Sequence, residues 1–272
     1  MEEQEFLMKI VDNTKLFRIC IFSTLAAMSI YIGLLLVSLG SFFSIDSLHE
    51  MFRSPEIRHA IWLTLITATV SSIMALVIGL PCAYVLSHYR FKGHQFIDTL
   101  LDLPIVLSPV AVGTAILLFF QTQPGRWITE NVLIVTLSWV GIILAQFTIV
   151  SALAIRLLKA TFDEIDPKYE KVARVLGCTP GKVFFKVDLP MARRGIFSAW
   201  ILTWARAVGE FGATVTVAGA TALKTETLAT SIYLRLSTVQ INQAAFLMTL
   251  MVGIALTVLF LSRYVLNKGI YE

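Results

Sequence analysis

Charged residues are scarce in this sequence. Asp, Glu, Lys and Arg together make up 15% of its 272 residues, whereas hydrophobic residues reach 57%. A soluble domain typically has about 25% charged and roughly 45–50% apolar residues. Five long runs contain no charged residue at all: 19–45, 59–87, 103–125, 131–155 and 236–262. Each run exceeds the roughly 20 residues that a helix needs to cross the hydrocarbon core of a bilayer. The composition therefore excludes an ordinary soluble domain and indicates an all-α, polytopic membrane protein.

Cysteine and histidine are also rare, and their spacing predicts no metal or redox site. The three cysteines lie far apart and form no CxxC pair: Cys20, Cys82 and Cys178. The four histidines fall in loops or at the edges of apolar runs, and neither HExxH nor GxSxG occurs. These absences argue against a zinc site, a thiol redox centre and a membrane-embedded enzyme. We therefore predict no catalytic residue, no bound metal and no cofactor on this chain.

An ATP-binding motif is missing as well. A P-loop requires the pattern GxxxxGK[ST], whose backbone cradles the phosphates. Gly181 and Lys182 form a matching pair, but Val183 follows it and Leu176 stands where the first glycine is needed. The chain therefore has no P-loop of its own, and any energy that it uses must come from a partner or from an ion gradient.

Six apolar segments are predicted to span the membrane. The sixth run, 195–219, contains only Arg206 and Glu210 as charges. The predicted spans are 17–40, 58–88, 96–121, 131–158, 195–220 and 243–266. With this numbering, sixteen Lys and Arg residues lie on one side and five on the other, so the positive-inside rule places both termini in the cytoplasm. We expect one transmembrane domain over 1–272 in the cell (inner) membrane, and the net charge of +4 follows from this bias without a nucleic-acid partner.

The cytoplasmic loop between spans four and five, about 159–194, is predicted to be ordered. Asp166 is a good N-cap and Pro167 suits the first helical position. Apolar residues then recur at spacings of 4, 3 and 4 along one helix face: Ile165, Tyr169, Val172 and Leu176. Gly177 fits a left-handed C-cap. A second short helix is expected from Thr179–Pro180 through Lys186, ended by Leu189 and Pro190.

A helix of about ten residues is not stable alone in water. Its apolar face must pack on its own membrane domain, on the lipid surface or in the groove of a partner. The residues alone leave these three alternatives open.

The loop resembles the "EAA" loop of permease subunits of binding-protein-dependent ABC importers. The resemblance lies in residues 169–180, YEKVARVLGCTP, and 184–190, FFKVDLP. Four residues fall at the family's spacings: Gly177, Val187, Leu189 and Pro190. Ala173 matches the second alanine, whereas Lys171 and Val172 depart from the pattern and Glu170 lies one position early. In that family the loop is a coupling helix that docks in a cleft of a separate ATPase.

This resemblance implies a set of contacts with the ATPase. The coupling residues are expected to be Pro167, Tyr169, Glu170, Val172, Ala173, Leu176, Gly177, Pro180, Leu189 and Pro190. ATP and Mg²⁺ would be bound by the partner ATPase, not by this chain.

Span five contains the candidate pore or gate. Arg206 and Glu210 are four residues apart, so they can pair on one helical turn, and charges at this depth should face another helix or a wet path. A structural ion pair, a substrate contact and a gate remain alternatives. The small and hydroxyl residues nearby suit a helix that lines a narrow passage, although close helix packing would use the same residues. The candidate set is Arg206, Gly209, Glu210, Gly212, Thr214 and Thr216.

Other segments carry local predictions. Pro104 and Pro109 should kink span three, and the Gly79–Pro81 segment should interrupt span two. Asp98 and Asp102 are expected near the basic loop of residues 90–94. The outer segments 41–57 and 221–242 are long enough for short interfacial helices.

Within the ABC importers, the chain resembles the molybdate/tungstate and sulfate permease branch. The resemblance rests on 206–214, RAVGEFGAT, on 225–228, TETL, and on 232–233, IY. It implies two permease subunits as a homodimer, two cytoplasmic ATPase subunits and an external oxyanion-binding protein. Molybdate or tungstate is the expected cargo. The alternatives are sulfate or thiosulfate, whose systems often pair two different permeases, and a secondary transporter driven by an ion gradient.

Overall fold

The computed structural model describes the backbone of residues 2–40 and 53–268 and the side chains of residues 17–40 and 53–263. These residues form helices and contain no strand. The helices within them are α1 (Glu2–Gly40), α2 (Pro55–His88), α3 (His94–Val106), α4 (Pro109–Gln121), α5 (Gln123–Asn131), α6 (Trp139–Asp163), α7 (Lys168–Val175), α8 (Pro180–Val183), a π-helical turn (Phe184–Asp188), α9 (Leu189–Val208), α10 (Gly212–Ala218), α11 (Leu228–Ser237) and α12 (Ile241–Lys268). The all-α prediction is confirmed for this part of the chain. Residues 41–52, which belong to the first predicted outer segment, lie outside it.

Four helices are long and apolar enough to cross a membrane. Their apolar stretches are Phe17–Gly40, Pro55–His88, Trp139–Asp163 and Ile241–Arg263. The pair α3 and α4 would count as a fifth span, but the two helices meet at an angle of 111°. The described residues therefore provide four or five candidate spans, and six spans with cytoplasmic termini remain a prediction.

The core lies where α2, α6 and α9 pack together. Alanines with almost no exposed surface occupy all three helices, including Ala68, Ala75, Ala145 and Ala207. Small residues let helix backbones approach closely, which favours association in a bilayer. A buried polar link crosses the same interface, because Gln146 accepts from Ser71 and donates to the Ala207 carbonyl. Packing and hydrogen bonds thus fix the helices that surround the candidate site.

Span three is broken rather than kinked. α3 ends at Val106 and α4 begins at Pro109, where the side chain of Ser108 accepts a hydrogen bond from Ala111 N. Pro109 is at the start of α4, a position that tolerates the missing N–H. Pro109 thus marks a sharp turn between two helices of 13 residues each, whereas Pro104 lies inside α3.

The predicted start of span four at residue 131 is wrong. α6 begins at Trp139, and the Ser138 side chain caps it by accepting from Gly141 N at 3.2 Å. The preceding chain crosses close to this first turn, and a Cβ at Gly141 would collide with the Val135 carbonyl. An apolar run without charges cannot reveal where such a cap falls, because hydropathy does not distinguish helix from extended chain.

Span five is also not one helix. α9 ends at Val208 and α10 starts at Gly212. Glu210 lies between them and caps α10, because its Oε1 accepts a hydrogen bond from Ala213 N at 3.0 Å. Gly212 packs against Pro109 and Val110 at the start of α4. The two breaks, in spans three and five, therefore face each other.

Two predicted interruptions are absent. Pro81 lies inside α2, which runs unbroken past it. Gly79 packs against Ile155 and Leu158, so α6 supports this part of α2.

Leu189 and Pro190 do not end the second loop helix, since α8, the π-helical turn and α9 follow one another without a gap. In the π-helical turn, Leu189 N donates to the carbonyl of Phe184, five residues back, instead of four as in an α-helix. The helix thereby continues through Pro190, whose missing N–H would interrupt the hydrogen bonds of a regular α-helix.

The second predicted outer segment contains a helix, α11, that packs on the helix bundle; its position at the membrane interface stays a prediction. Leu228 and Ile232 are buried against Ile57 and Phe246. Leu228 N donates to Thr64 Oγ1 of α2 at 2.8 Å. The predicted helix exists, and its first half is buried on all sides, from Leu228 to Ile232, where it packs against α2 and α12.

Candidate functional site: the loop helix and the break in span five

The loop helix α7 has defined ends. Pro167 is at the N-cap position, and Asp166 accepts from Lys168 N at 2.9 Å just outside the helix. Gly177 has φ +85°, and its N–H donates to Arg174 while Cys178 N donates to Ala173. These two bonds form a Schellman motif, which requires a left-handed residue at this position. The predicted left-handed cap at Gly177 is confirmed, whereas Pro167 and Leu176 lie one residue outside the helix.

The apolar face of α7 is uncovered. Tyr169 and Val172 are more than half exposed, and the neighbouring Val175 and Leu176 are 87% and 78% exposed. Ile165, which precedes the helix, instead packs with buried residues of α2, α6 and α9. Of the three alternatives for this face, packing on the chain's own membrane domain is excluded for these four residues.

The opposite face of α7 packs on the membrane domain. Ala173 is buried, and Glu170 is nearly so. Glu170 Oε1 lies 2.7 Å from His88 Nε2 at the end of α2, and its Oε2 lies 3.6 Å from Arg174. α7 is therefore attached to the end of span two through a carboxylate.

Asp188 lies beside this attachment. It is fully buried at the end of the π-helical turn, and its Oδ2 accepts a hydrogen bond from the Tyr84 hydroxyl at 3.2 Å. Burial raises the pKa of the Asp188 carboxyl above its ordinary value, and the negative charge of Glu170 acts in the same direction. Sequence reasoning missed His88 and Asp188, because they come from separate elements and no short motif links them.

The predicted ion pair in span five is present. Arg206 Nη1 lies 2.7 Å from Glu210 Oε2. The Glu210 side chain is 1% exposed, whereas that of Arg206 is 39% exposed. Glu210 thus both pairs with Arg206 and caps α10, and Arg206 keeps part of its guanidinium accessible.

Arg206 lies at a cavity of about 250 Å³ beside the break in span three. The remaining lining residues are Pro104, Ile105, Leu107, Pro109, Ile149 and Leu153. A positive charge in otherwise apolar walls exerts a strong field on small anions, because a low-dielectric surrounding screens it poorly.

The other residues predicted for the pore do not line this cavity. Gly209 is exposed, and Gly212 packs against α4. Thr214 is fully buried, and its hydroxyl has no hydrogen-bond partner among the described residues. Thr216 donates to the Gly212 carbonyl and packs near Gly113. Their contacts in a single chain are those of helix packing, and a pore role for them stays a prediction.

The two aspartates of α3 have a partner that the sequence did not suggest. Asp98 and Asp102 both pair with Arg156 of α6, Asp98 at 3.0 Å. The bend in span three places α3 alongside α6, so the partner of both carboxylates comes from α6. The predicted position of this pair near the basic loop of residues 90–94 stays a prediction. Arg156 thus ties α3, the first half of the broken span, to the core.

A family profile and curated relatives agree in describing membrane components of transport systems. The family profile described as "Binding-protein-dependent transport system inner membrane component" matches residues 75–271. The sulfate transport system permease protein CysT of Escherichia coli K12 is 32% identical over 78% of this chain and 77% of its own length. The molybdate/tungstate transport system permease protein WtpB of Pyrococcus furiosus is 33% identical over 69% and 72%, respectively.

Among solved structures, a similar fold occurs in a bacterial alginate ABC transporter in complex with an alginate pentasaccharide-bound periplasmic protein. The TM-score is 0.76 at 17% identity, and the match covers 94% of this chain and 95% of that one. At this identity the likeness concerns the fold alone.

Proposed function

This chain belongs to the family of binding-protein-dependent transport system inner membrane components, and from this premise we propose that it forms the path through which an ATP-driven importer carries a tetrahedral oxyanion, molybdate or tungstate. An external binding protein would deliver the anion, and two separate ATPase subunits would supply the energy. The observation that carries the proposal is the capped helix α7, with its apolar face uncovered and its opposite face packed on the end of α2 and the π-helical turn.

The uncovered face of α7 suits a groove in a protein partner. Three apolar side chains are exposed on this helix of eight residues, and that of the C-cap residue Leu176 is exposed beside them. Helix-in-groove docking uses such an apolar stripe. The Schellman motif and the Asp166 cap hold both ends of the helix, so a push on α7 would move it as a rigid unit. Lipid contact is the remaining alternative for this face.

The connection from α7 to the break in span five is short and helical. α8, the π-helical turn and α9 continue from Pro180 to Val208 without interruption. Arg206 lies in the last turn of α9, next to the break. A displacement of α7 by the ATPase would therefore reach Arg206 along a helix of 29 residues, which is stiffer than a loop.

Arg206 is the residue that we propose meets the anion. Its guanidinium is partly accessible at the cavity, and arginine presents several N–H donors that match oxyanion geometry. Pairing with Glu210 lowers the local positive charge, which favours a weak, transient contact over tight binding. A transport path requires such weak binding, because the anion must leave again.

Sulfate is the second candidate cargo. Curated sulfate permeases are about as similar to this chain as the molybdate/tungstate permease is, at 32% and 33% identity. Sulfate and molybdate are both tetrahedral dianions, so one arginine and an apolar cavity do not discriminate between them. Selection would then depend on the binding protein.

Uptake into proteoliposomes tests this function. Vesicles that contain the permease with its ATPase, ATP inside and the binding protein outside should accumulate labelled molybdate or tungstate. Accumulation of sulfate but not of molybdate would assign the chain to the second candidate. Uptake that needs an ion gradient and proceeds without the ATPase would contradict the importer function itself.

A further inference from the structure

Three potential metal ligands from three separate elements meet at the inner face of α7. They are His88 at the end of α2, Glu170 in α7 and Asp188 at the end of the π-helical turn. One ligand atom from each residue lies within 4.8 Å of the others. The group lies beside the predicted ATPase docking face and away from the cavity at Arg206.

The histidine is oriented as metal-binding histidines are. His88 Nδ1 lies 3.2 Å from the Tyr84 carbonyl oxygen, which can only accept a hydrogen bond. An N–H at Nδ1 can therefore donate to this carbonyl, and Nε2 faces the carboxylates, 2.7 Å from Glu170 Oε1. A backbone carbonyl that holds the distal ring nitrogen is the usual outer partner of a histidine ligand.

The two carboxylates differ in how their oxygens are satisfied. Glu170 Oε1 faces His88 Nε2 at 2.7 Å, and Glu170 Oε2 lies 3.6 Å from Arg174. Asp188 Oδ2 accepts a hydrogen bond from the Tyr84 hydroxyl, whereas Asp188 Oδ1 is buried and has no hydrogen-bond partner among the described residues. An unsatisfied carboxylate oxygen on a fully buried side chain is costly, and a cation would remove that cost.

We propose that His88, Glu170 and Asp188 bind a divalent transition-metal ion of the zinc type. One imidazole and two carboxylates are ligands that Zn²⁺ accepts at about 2.0–2.2 Å, with a fourth tetrahedral position left for water. Such bonds set neighbouring ligand atoms about 3.3 Å apart, so the contact of 2.7 Å between His88 and Glu170 must open slightly. A small rotation of the Glu170 side chain, which lies at the partly exposed edge of the cluster, provides this.

This site differs from the expectation of no metal drawn from the sequence. The three ligands lie 82 and 18 residues apart along the chain, so no spacing motif signals them. Only the packing of α7 between the end of α2 and the π-helical turn brings them together.

A bound ion would fasten α7 to both elements at once. If α7 is the helix that the ATPase moves, an assumption that rests on the proposed function, the ion would restrain that movement and slow transport. Binding itself does not depend on this assumption, and it can be measured without any transport.

The direct test is metal binding to the full permease–ATPase complex in nanodiscs, purified with a tag that contains no histidine. After chelator treatment, Zn²⁺ is titrated against a chromophoric chelator, and Co²⁺ is followed by its visible absorption. We expect one ion per permease chain and a tetrahedral Co²⁺ spectrum. Glu170→Gln and Asp188→Asn should each weaken binding more than tenfold, and Tyr84→Phe, which removes an outer partner, should weaken it by about tenfold.

His94→Ala is the matched control. His94 is also buried near the end of α2, but its Nε2 contacts the Leu86 carbonyl and no carboxylate, so its removal should leave binding unchanged. Failure of the wild-type complex to bind Zn²⁺ or Co²⁺ would overturn the proposal and leave a hydrogen-bonded ion pair of protonated His88 with Glu170. Equal binding by Asp188→Asn and wild type would also overturn it, provided that the variant elutes as an intact complex.

Uptake assays then separate the site from its consequence. Inhibition by micromolar Zn²⁺ in wild type, absent in Asp188→Asn, would support the restraint of α7. Binding without inhibition would show that the ion does not restrain α7, and it would leave both the metal site and the importer function in place.

Discussion

At the scale of single residues, Gly177 is the position in the loop where the backbone conformation itself favours glycine. Its φ of +85° is accessible to glycine, whereas an L-residue with a Cβ pays steric strain there. No atom beyond its own chain neighbours lies within 4 Å of the place where a Cβ would stand. The requirement is therefore conformational, with no steric contribution from neighbours.

Gly177→Val should uncouple ATP hydrolysis from transport while the spans stay folded. The strain of about 1–2 kcal/mol would loosen the C-terminal cap of α7. Uptake and ATPase activity, measured on the same proteoliposomes, should show hydrolysis retained and transport lost. Gly181→Val is the control, because Gly181 also has open space around it but no left-handed backbone. Unchanged transport in Gly177→Val would count against the lever role of α7.

Glu210 has two separate functions at the break in span five, one as the partner of Arg206 and one as the cap of α10. Glu210→Gln keeps an acceptor for Ala213 N and loses only the charge, whereas Glu210→Leu loses both. Removing the cap from a buried N–H costs about 1–3 kcal/mol. The melting temperature of the purified protein should therefore fall further for Glu210→Leu than for Glu210→Gln. Equal losses would show that the charge, and not the cap, stabilises the break.

At the scale of elements, α7 presents different chemistry on its two faces. The inner face carries Glu170 and Ala173, which pack on the membrane domain, and the outer face carries Val175 and Leu176. Because the outer residues touch little of their own chain, replacing them should affect a partner more than the fold.

Val175→Ser and Leu176→Ser should weaken binding of the ATPase without lowering the melting temperature of the permease. Each substitution removes most of an apolar side chain that a docking groove would bury, a loss of about 1.5–3 kcal/mol when the side chain is fully buried. Affinity for the purified ATPase can be measured by titration in nanodiscs. Lys168→Ser, at another exposed position of α7, is the matched control. A fall in melting temperature without a change in affinity would mean that this face contacts the domain or lipid instead.

At the scale of the whole molecule, one chain leaves much apolar and some charged surface uncovered. The apolar part of α1, Phe17–Gly40, has none of its residues buried. Arg206 retains 39% exposure at the cavity, and a charge at this depth should face water or another helix rather than lipid. A second permease chain across the cavity would place Arg206 against another helix or a water-filled path.

Native mass spectrometry of the purified transporter should therefore show two copies of this chain with two ATPase subunits. Two identical chains would place two copies of Arg206 around one path. A complex with one copy of this chain and one different permease would contradict the homodimer and favour the arrangement expected for sulfate systems.

The sequence by itself determined the membrane class, the approximate positions of the apolar helices, the cap at Gly177 and the pairing of Arg206 with Glu210. These features depend on local properties: the length of apolar runs, left-handed backbone preference and spacing along one turn. The family followed from residues 169–190, because caps, spacing and position between two spans agree there.

Tertiary structure alone decided where the spans break and which distant side chains meet. The breaks at residues 107–108 and 209–211 face each other because α10 packs against α4, and hydropathy carries no information about such packing. Likewise, Arg156 meets Asp98 and Asp102, and His88 meets Glu170 and Asp188, only after the helices have packed. Contacts between residues far apart in sequence depend on the relative placement of whole helices, which short spacing patterns do not specify.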